Sequence, residues 1–137
     1  MDLADAVAFV RTHHNAVLAT RRRDGSPQLS PVTVGADDEG HVTISSRERA
    51  FKVRNIRRDP RVSLCVLPEN FYGGRWIQID GTASVLSLPE AMEPLVEYYR
   101  RISGEHPDWD DYRAAMVRHE RVLVRVAIER AGPDQAG

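Results

Sequence analysis

Ala16-Val17-Leu18-Ala19-Thr20, then Asp24-Gly25, then Gln28-Leu29-Ser30-Pro31-Val32-Thr33-Val34 read as two strands joined by a turn. Pro31 has no N–H to give to a ladder, so the second strand belongs at a sheet edge or at a bulge. Past the turn residues Asp37-Asp38-Glu39-Gly40, His41-Val42-Thr43-Ile44-Ser45 alternates with period two and extends the meander by a third strand. Further on, Arg61 to Leu67 reads as a buried strand and Pro68 to Gly74 as a loop. Trp76 to Leu86 reads as a long strand with a bulge at Gly81, and Arg121 to Glu129 as a last strand. Six strands at short spacing point to a β-barrel with peripheral helices rather than to a βαβ sheet.

The helices fill the gaps. Leu3, Ala6, Val7 and Val10 fall at helical steps behind an Asp2 cap, so one helix opens the chain and runs toward His14. Ala50, Val53 and Ile56 mark a short basic helix over Arg47 to Asp59, which Asp59-Pro60 stops. Pro89 opens a helix to about Ile102 with Ala91, Met92, Leu95, Val96 and Tyr99 on its apolar side, and another piece spans Asp108 to His119. Residues 131–137 read as a frayed tail, leaving 1–130 as a single domain with neither repeat nor linker.

Composition narrows the function. A chain of 137 residues with 42% hydrophobic and 28% charged residues suits one globular domain. No apolar run approaches the ~20 residues of a membrane span. The acidic start Met1-Asp2-Leu3-Ala4-Asp5 is unlike a signal peptide, so the expectation is a soluble, cytoplasmic protein without a membrane partner. Cys65, the single cysteine, lies in an apolar run and reads as a buried thiol. His13, His14, His41, His106 and His119 fall at no metal-ligand spacing, so no metal site is expected. The Gly-x-Ser-x-Gly elbow, the Gly-x-Gly-x-x-Gly turn and the Gly-Lys-Ser/Thr loop are all missing. The acids from Glu105 to Asp111 read as helix-start residues that favour the dipole.

One segment needs a reason. Between Arg47 and Arg61 there are seven basic residues against Glu48 and Asp59 alone, although the whole chain carries a net charge of −1. Lys52, the only lysine of the chain, sits in the middle, a hint that this spot takes a compact ammonium. Most charge runs are solvated helix faces. Here Ser45, Ser46, Lys52 and several arginines gather between a strand end and a helix as donors without acceptors, the sort of set that holds a phosphate or carboxylate. On the residues alone both readings stay open, with the anion site ahead.

The stretches Val17 to Thr20, Asp24 to Val32, Lys52 to Leu64 and Gln78 to Ala83 resemble the pyridoxamine 5′-phosphate oxidase-like superfamily, and within it the small enzymes that use coenzyme F420. The run Tyr99 to Arg113 resembles the same deazaflavin branch, and the likeness covers nearly the whole chain in order. The resemblance implies a six-stranded split β-barrel of the FMN-binding type, paired as a homodimer with two cofactor sites at the interface. It implies a phosphate seat on Arg49, Lys52 and Asn55 with Ser45, Ser46 and Arg47 nearby. It lays the strand containing Gln28, Ser30, Pro31 and Val32 against the ring, with Trp76 and Gln78 reaching the cofactor from the partner subunit. One departure stands out: Phe51 separates Arg49-Ala50 from Lys52, where close relatives run Arg-Ala-Lys directly.

The implied function is an F420-dependent reductase that passes a hydride to an electron-poor conjugated small molecule. Such chemistry asks the protein to bind, orient and exclude water, so no side chain takes a catalytic role, which fits the absence of nucleophile, metal and P-loop motifs. F420 ends in a phosphate and a chain of glutamates that the segment Arg47 to Arg61 is long enough to track, whereas FMN, the alternative cofactor, needs less positive charge. Two other readings remain: an FMN-binding oxidoreductase of the pyridoxamine phosphate oxidase type, and a non-catalytic F420 carrier. Nucleic acid is not expected as a partner, because only Phe51 interrupts the basic segment and the chain is not basic overall.

Overall fold

A computed structural model describes residues 1–136. Its elements run α1 (Leu3–Val10), β1 (Asn15–Arg21), β2 (Pro27–Thr33), β3 (Gly35–Ala36), β4 (Val42–Arg47), α2 (Phe51–Arg58), β5 (Arg61–Val66), β6 (Arg75–Leu86), α3 (Met92–Ser103), α4 (Trp109–Arg118) and β7 (Arg121–Ala136). The strands form one sheet in the order β2-β1-β5-β6-β7-β4-β3, with every neighbouring pair antiparallel. β2 comes back toward β4, so the sheet curls into a half-barrel. Among the described residues there are seven strands rather than six. The added one, β3, is two residues long and too short to show a period.

Alternation decides the core. Leu18, Ile44, Leu64, Ile77 and Ile79 are fully buried on the inner face, with Val62, Val66, Val124 and Val126 beside them. α1 packs Ala6, Phe9 and Val10 onto this cluster, and α2 adds Ile56. The α1 cap is the expected one: the Ala4 N–H donates to Asp2 Oδ1 at 2.7 Å. A second cluster lies outside the sheet, where Leu95, Val96, Tyr112 and Met116 of α3 and α4 cover Leu123 of β7. Asp108 caps α4, accepting the Asp111 N–H at 3.1 Å.

Two glycines are fixed by close approach. A Cβ at Gly35 would press on Ile102 Cδ1 and Thr43 Oγ1, each 3.3 Å away. A Cβ at Gly81 would fall on the Ala127 carbonyl oxygen, and the register slips beside it between Asp80 and Gly81, the expected bulge.

Three expectations are corrected. The last strand does not end at Glu129 but runs to Ala136, with Ala131, Asp134 and Ala136 opposite Ile79, Ile77 and Arg75. Residues 131–137 read as a frayed tail, yet the strand takes up Pro133 in a register shift, where its missing N–H costs no ladder bond. Gly137 lies outside the described residues. The basic helix starts at Phe51, because Arg47 still pairs in β4 and a turn closed by Ala50 N–H on the Arg47 carbonyl follows. Cys65 is half-buried, since it alternates with the inward Leu64 and Val66.

Candidate functional site

The chemistry-bearing residues gather where β4 ends, α2 begins and β7 starts. In the β4–β7 register Ser45 faces Leu123 and Arg47 faces Arg121, which puts Ser45, Arg47 and Arg121 on the face that α3 and α4 cover. Ser46 alternates inward beside Val122 and is 3% exposed. Tyr98 of α3 closes this corner, its hydroxyl donating to the Thr33 carbonyl at 2.8 Å and lying close to the Ser45 backbone and Arg121. One corner therefore joins the end of β2, the end of β4 and the start of β7.

Lys52 enters from the first turn of α2. Its ammonium is held below the usual lysine range by burial and by the neighbouring Arg121 guanidinium. Helix α2 has no side-chain cap, as Ala50 holds the cap position, so its first N–H groups are open to an acceptor. The two acids of the segment are spent: Glu48 pairs with Arg57 at 2.8 Å and Asp59 with Arg61 at 2.7 Å. Arg49, largely exposed, lies 3.7 Å from Glu120. Among the described residues Arg47, Lys52, Arg54, Arg58 and Arg121 have no carboxylate within 4.0 Å. Such a concentration of unmatched cation suits an anionic ligand.

β2 reaches this corner at its end, through the Thr33 carbonyl. Gln28, Ser30 and Val32 stand opposite Thr20, Leu18 and Ala16 and share their inward face, while Pro31 points the other way. β2 is an edge strand, where Pro31 does no harm. Ser30 Oγ is buried without a hydrogen-bond partner. Thr20 is 1% exposed and donates to Gln28 Oε1 at 3.3 Å.

Asn55, which the resemblance carries to the phosphate, is engaged within the fold. It is 8% exposed; its Nδ2 donates to Thr20 Oγ1 at 3.0 Å and its Oδ1 accepts from Arg58 at 3.0 Å. It straps α2 to β1. Trp76 and Gln78 do not join the Lys52 corner within one chain, because they sit at the start of β6, where Trp76 pairs with Gln135 at the far end of β7 from Arg121. There Gln78 Nε2 donates to Asp80 Oδ1 at 3.1 Å, and Asp80 also accepts from Ser63 at 2.6 Å and Arg130 at 2.7 Å. A cavity of about 580 Å³ here is lined by Ser63, Gln78, Asp80, Arg61 and Arg130.

Tyr98 and Arg121 also line the corner, although the sequence does not single them out. Arg121 had a readable signal, since Arg-Val-Leu-Val-Arg alternates and sets Arg121 and Arg125 on one face; Tyr98 had none beyond its neighbour Tyr99. Among the described residues no group of three or more His, Cys, Asp or Glu is placed to hold a metal, and no helix is long and apolar enough to cross a membrane.

Residues 3–133 match the family described as pyridoxamine 5′-phosphate oxidase. The chain is 30% identical over 128 residues to an F420H(2)-dependent biliverdin reductase of Mycobacterium tuberculosis (strain CDC 1551 / Oshkosh), covering 92% of this chain and 83% of that one. Its fold is similar to the crystal structure of the conserved hypothetical protein Rv2991 from Mycobacterium tuberculosis, with a TM-score of 0.80, 28% identity, and coverage of 99% of this chain and 85% of the other. It is also similar in fold to a protein described as an F420 reductase, with a TM-score of 0.69, 23% identity, and coverage of 91% and 94%.

Proposed function

The chain belongs to the pyridoxamine 5′-phosphate oxidase family, and on that premise we propose that it is an F420-dependent reductase whose cofactor phosphate sits at the Lys52 corner. The observation that carries the reading is a set of cations without counterions, half-buried Lys52 and Arg121 with exposed Arg47 at their rim, beside the uncapped start of α2. Burial of like charges is costly unless an anion joins them, so the corner is built for a ligand. The unpartnered Ser30 Oγ on β2 fits a polar ring edge lying along that strand. The 30% identity to an F420H(2)-dependent reductase favours a deazaflavin over FMN.

Bound reduced F420 supplies the hydride. The chain's residues bind and orient: Lys52, Arg47 and Arg49 hold the phosphate, while Gln28, Ser30 and Val32 form the ring's wall, with Pro31 on the other face of that strand and Ser45 and Ser46 at the end of β4. Asn55 keeps α2 in place. No side chain here is needed as nucleophile or metal ligand, and solvent supplies the proton that completes reduction of an electron-poor conjugated acceptor. A linear tetrapyrrole is the first acceptor to try, because the relative is named for biliverdin.

A homodimer completes the site in this reading. Leu29, 63% exposed, and Pro31 lie on the outer face of β2 next to half-buried Val17 and Cys65, an apolar patch that suits a second copy. The partner's copy of this sheet would bring Trp76 and Gln78 to the ring. The test is Lys52→Ala. With one charge-assisted phosphate contact removed, F420 affinity is expected to fall about 10- to 100-fold with the melting temperature kept. Unchanged affinity contradicts the assignment. Tight binding without reduction of any acceptor by the wild-type protein makes it a carrier instead.

A further inference from the structure

We propose that Arg121 is a phosphate ligand of this site, holding the cofactor's phosphoryl oxygens through its Nε and a terminal nitrogen; the inference rests on the reading that the phosphate sits at Lys52. Its Nε is buried and has no hydrogen-bond partner. Nor does any carboxylate of the described residues come within 4.0 Å of its guanidinium. A buried donor left unmade is rare in a native fold and signals a missing acceptor. The groups around it supply none of the charge needed: Lys52 and Arg47 are cations, Tyr98 and Tyr112 are phenols, and His119 is held below its usual range by burial and by Arg47, Arg121 and Arg118.

The backbone fixes where the side chain points. Glu120, immediately before Arg121, has φ 51°, and it is the only non-glycine residue with positive φ among the described residues. That conformation is disfavoured for a side chain with a Cβ and persists where the surroundings hold it. Here the Glu120 N–H donates to the Val117 carbonyl at 3.1 Å, and its own carbonyl accepts the Glu48 N–H at 2.9 Å. The α4–β7 turn is thereby locked to the β4–α2 turn, and Arg121 starts from the point where both meet. A planar guanidinium presents Nε and a terminal nitrogen as parallel donors that match two phosphoryl oxygens, a geometry that the neighbouring lysine does not offer.

The experiment compares phosphorylated and phosphate-free chromophores on the full-length wild-type, Arg121→Gln and Arg121→Lys proteins. F420 is paired with the deazaflavin ribityl alcohol that lacks phosphate and tail, and FMN with riboflavin. Fluorescence gives the Kd, and thermal unfolding checks the fold. The expected result is a loss of about 10- to 100-fold in affinity of Arg121→Gln for the phosphorylated member of a pair, with the phosphate-free member unchanged. Arg121→Lys should fall between, keeping the charge and losing the paired donors. Equal losses for both members of a pair, or no loss for either, overturn the proposal. If wild type binds FMN but not F420, the reductase reading fails while the FMN and riboflavin pair still decides Arg121. Binding of neither phosphorylated compound overturns both.

Discussion

Replacing Asn55 with alanine separates a strut from a ligand. The resemblance carries Asn55 to the phosphate, but the structure engages its amide at both ends, on Thr20 Oγ1 and with the Arg58 guanidinium, each at 3.0 Å. Hydrogen bonds of this kind contribute about 0.5–1.5 kcal/mol each, so Asn55→Ala should destabilise the fold by about 1–3 kcal/mol. With a urea m value of roughly 1–3 kcal/mol/M for a small protein, the unfolding midpoint should drop by on the order of 1 M. Thr20 keeps its bond to Gln28, so the damage stays at the α2–β1 seam. The assay is urea unfolding followed by circular dichroism, with F420 titration of the folded variant alongside. An unchanged midpoint with collapsed affinity refutes the reasoning and makes Asn55 a direct ligand.

Other perturbations probe other links. Lys52 is held below the ordinary lysine value of 10.5, so between its lowered value and 10.5 the unfolded chain binds the extra proton. The stability of the ligand-free protein should therefore rise with pH through that window, while F420 affinity falls because the phosphate favours the ammonium; a flat affinity profile contradicts this. Burial, with Tyr98 second, pushes the Tyr112 phenol up to about 12 from 10.0, so unfolding should become easier as pH climbs between those values, and Tyr112→Phe should flatten that alkaline limb. Gly81→Ala drives a Cβ into the Ala127 carbonyl and to 2.9 Å from Val126 Cγ1, and should cost about 1–3 kcal/mol in thermal unfolding. Sedimentation should show a dimer that Leu29→Arg dissociates; a monomeric wild type removes the two-subunit site.

The inner face was readable where period two held, as over His41 to Ser45 in β4, because one residue of slip would move a whole set of side chains to solvent. β3 escaped because two residues carry no period, and the end of β7 escaped because a proline taken up at a register shift looks the same in sequence as a proline that ends a strand. The basic segment was readable as a concentration of charge. Which of its members face a ligand was not, since Arg57 turns to Glu48 only through the path of α2, while Arg61 folds back on the nearby Asp59. Asn55 and Arg121 exchange expectations for the same reason: burial and hydrogen-bond partners are set by elements far apart in the chain, Thr20 for one and the Glu48–Glu120 contact for the other.

The most direct measurement is a side-by-side fluorescence titration of the purified wild-type protein with F420 and with FMN at fixed salt. The account predicts saturable F420 binding that is clearly tighter than FMN binding and is lost in Lys52→Ala. Preference for FMN, or binding of neither cofactor, contradicts it.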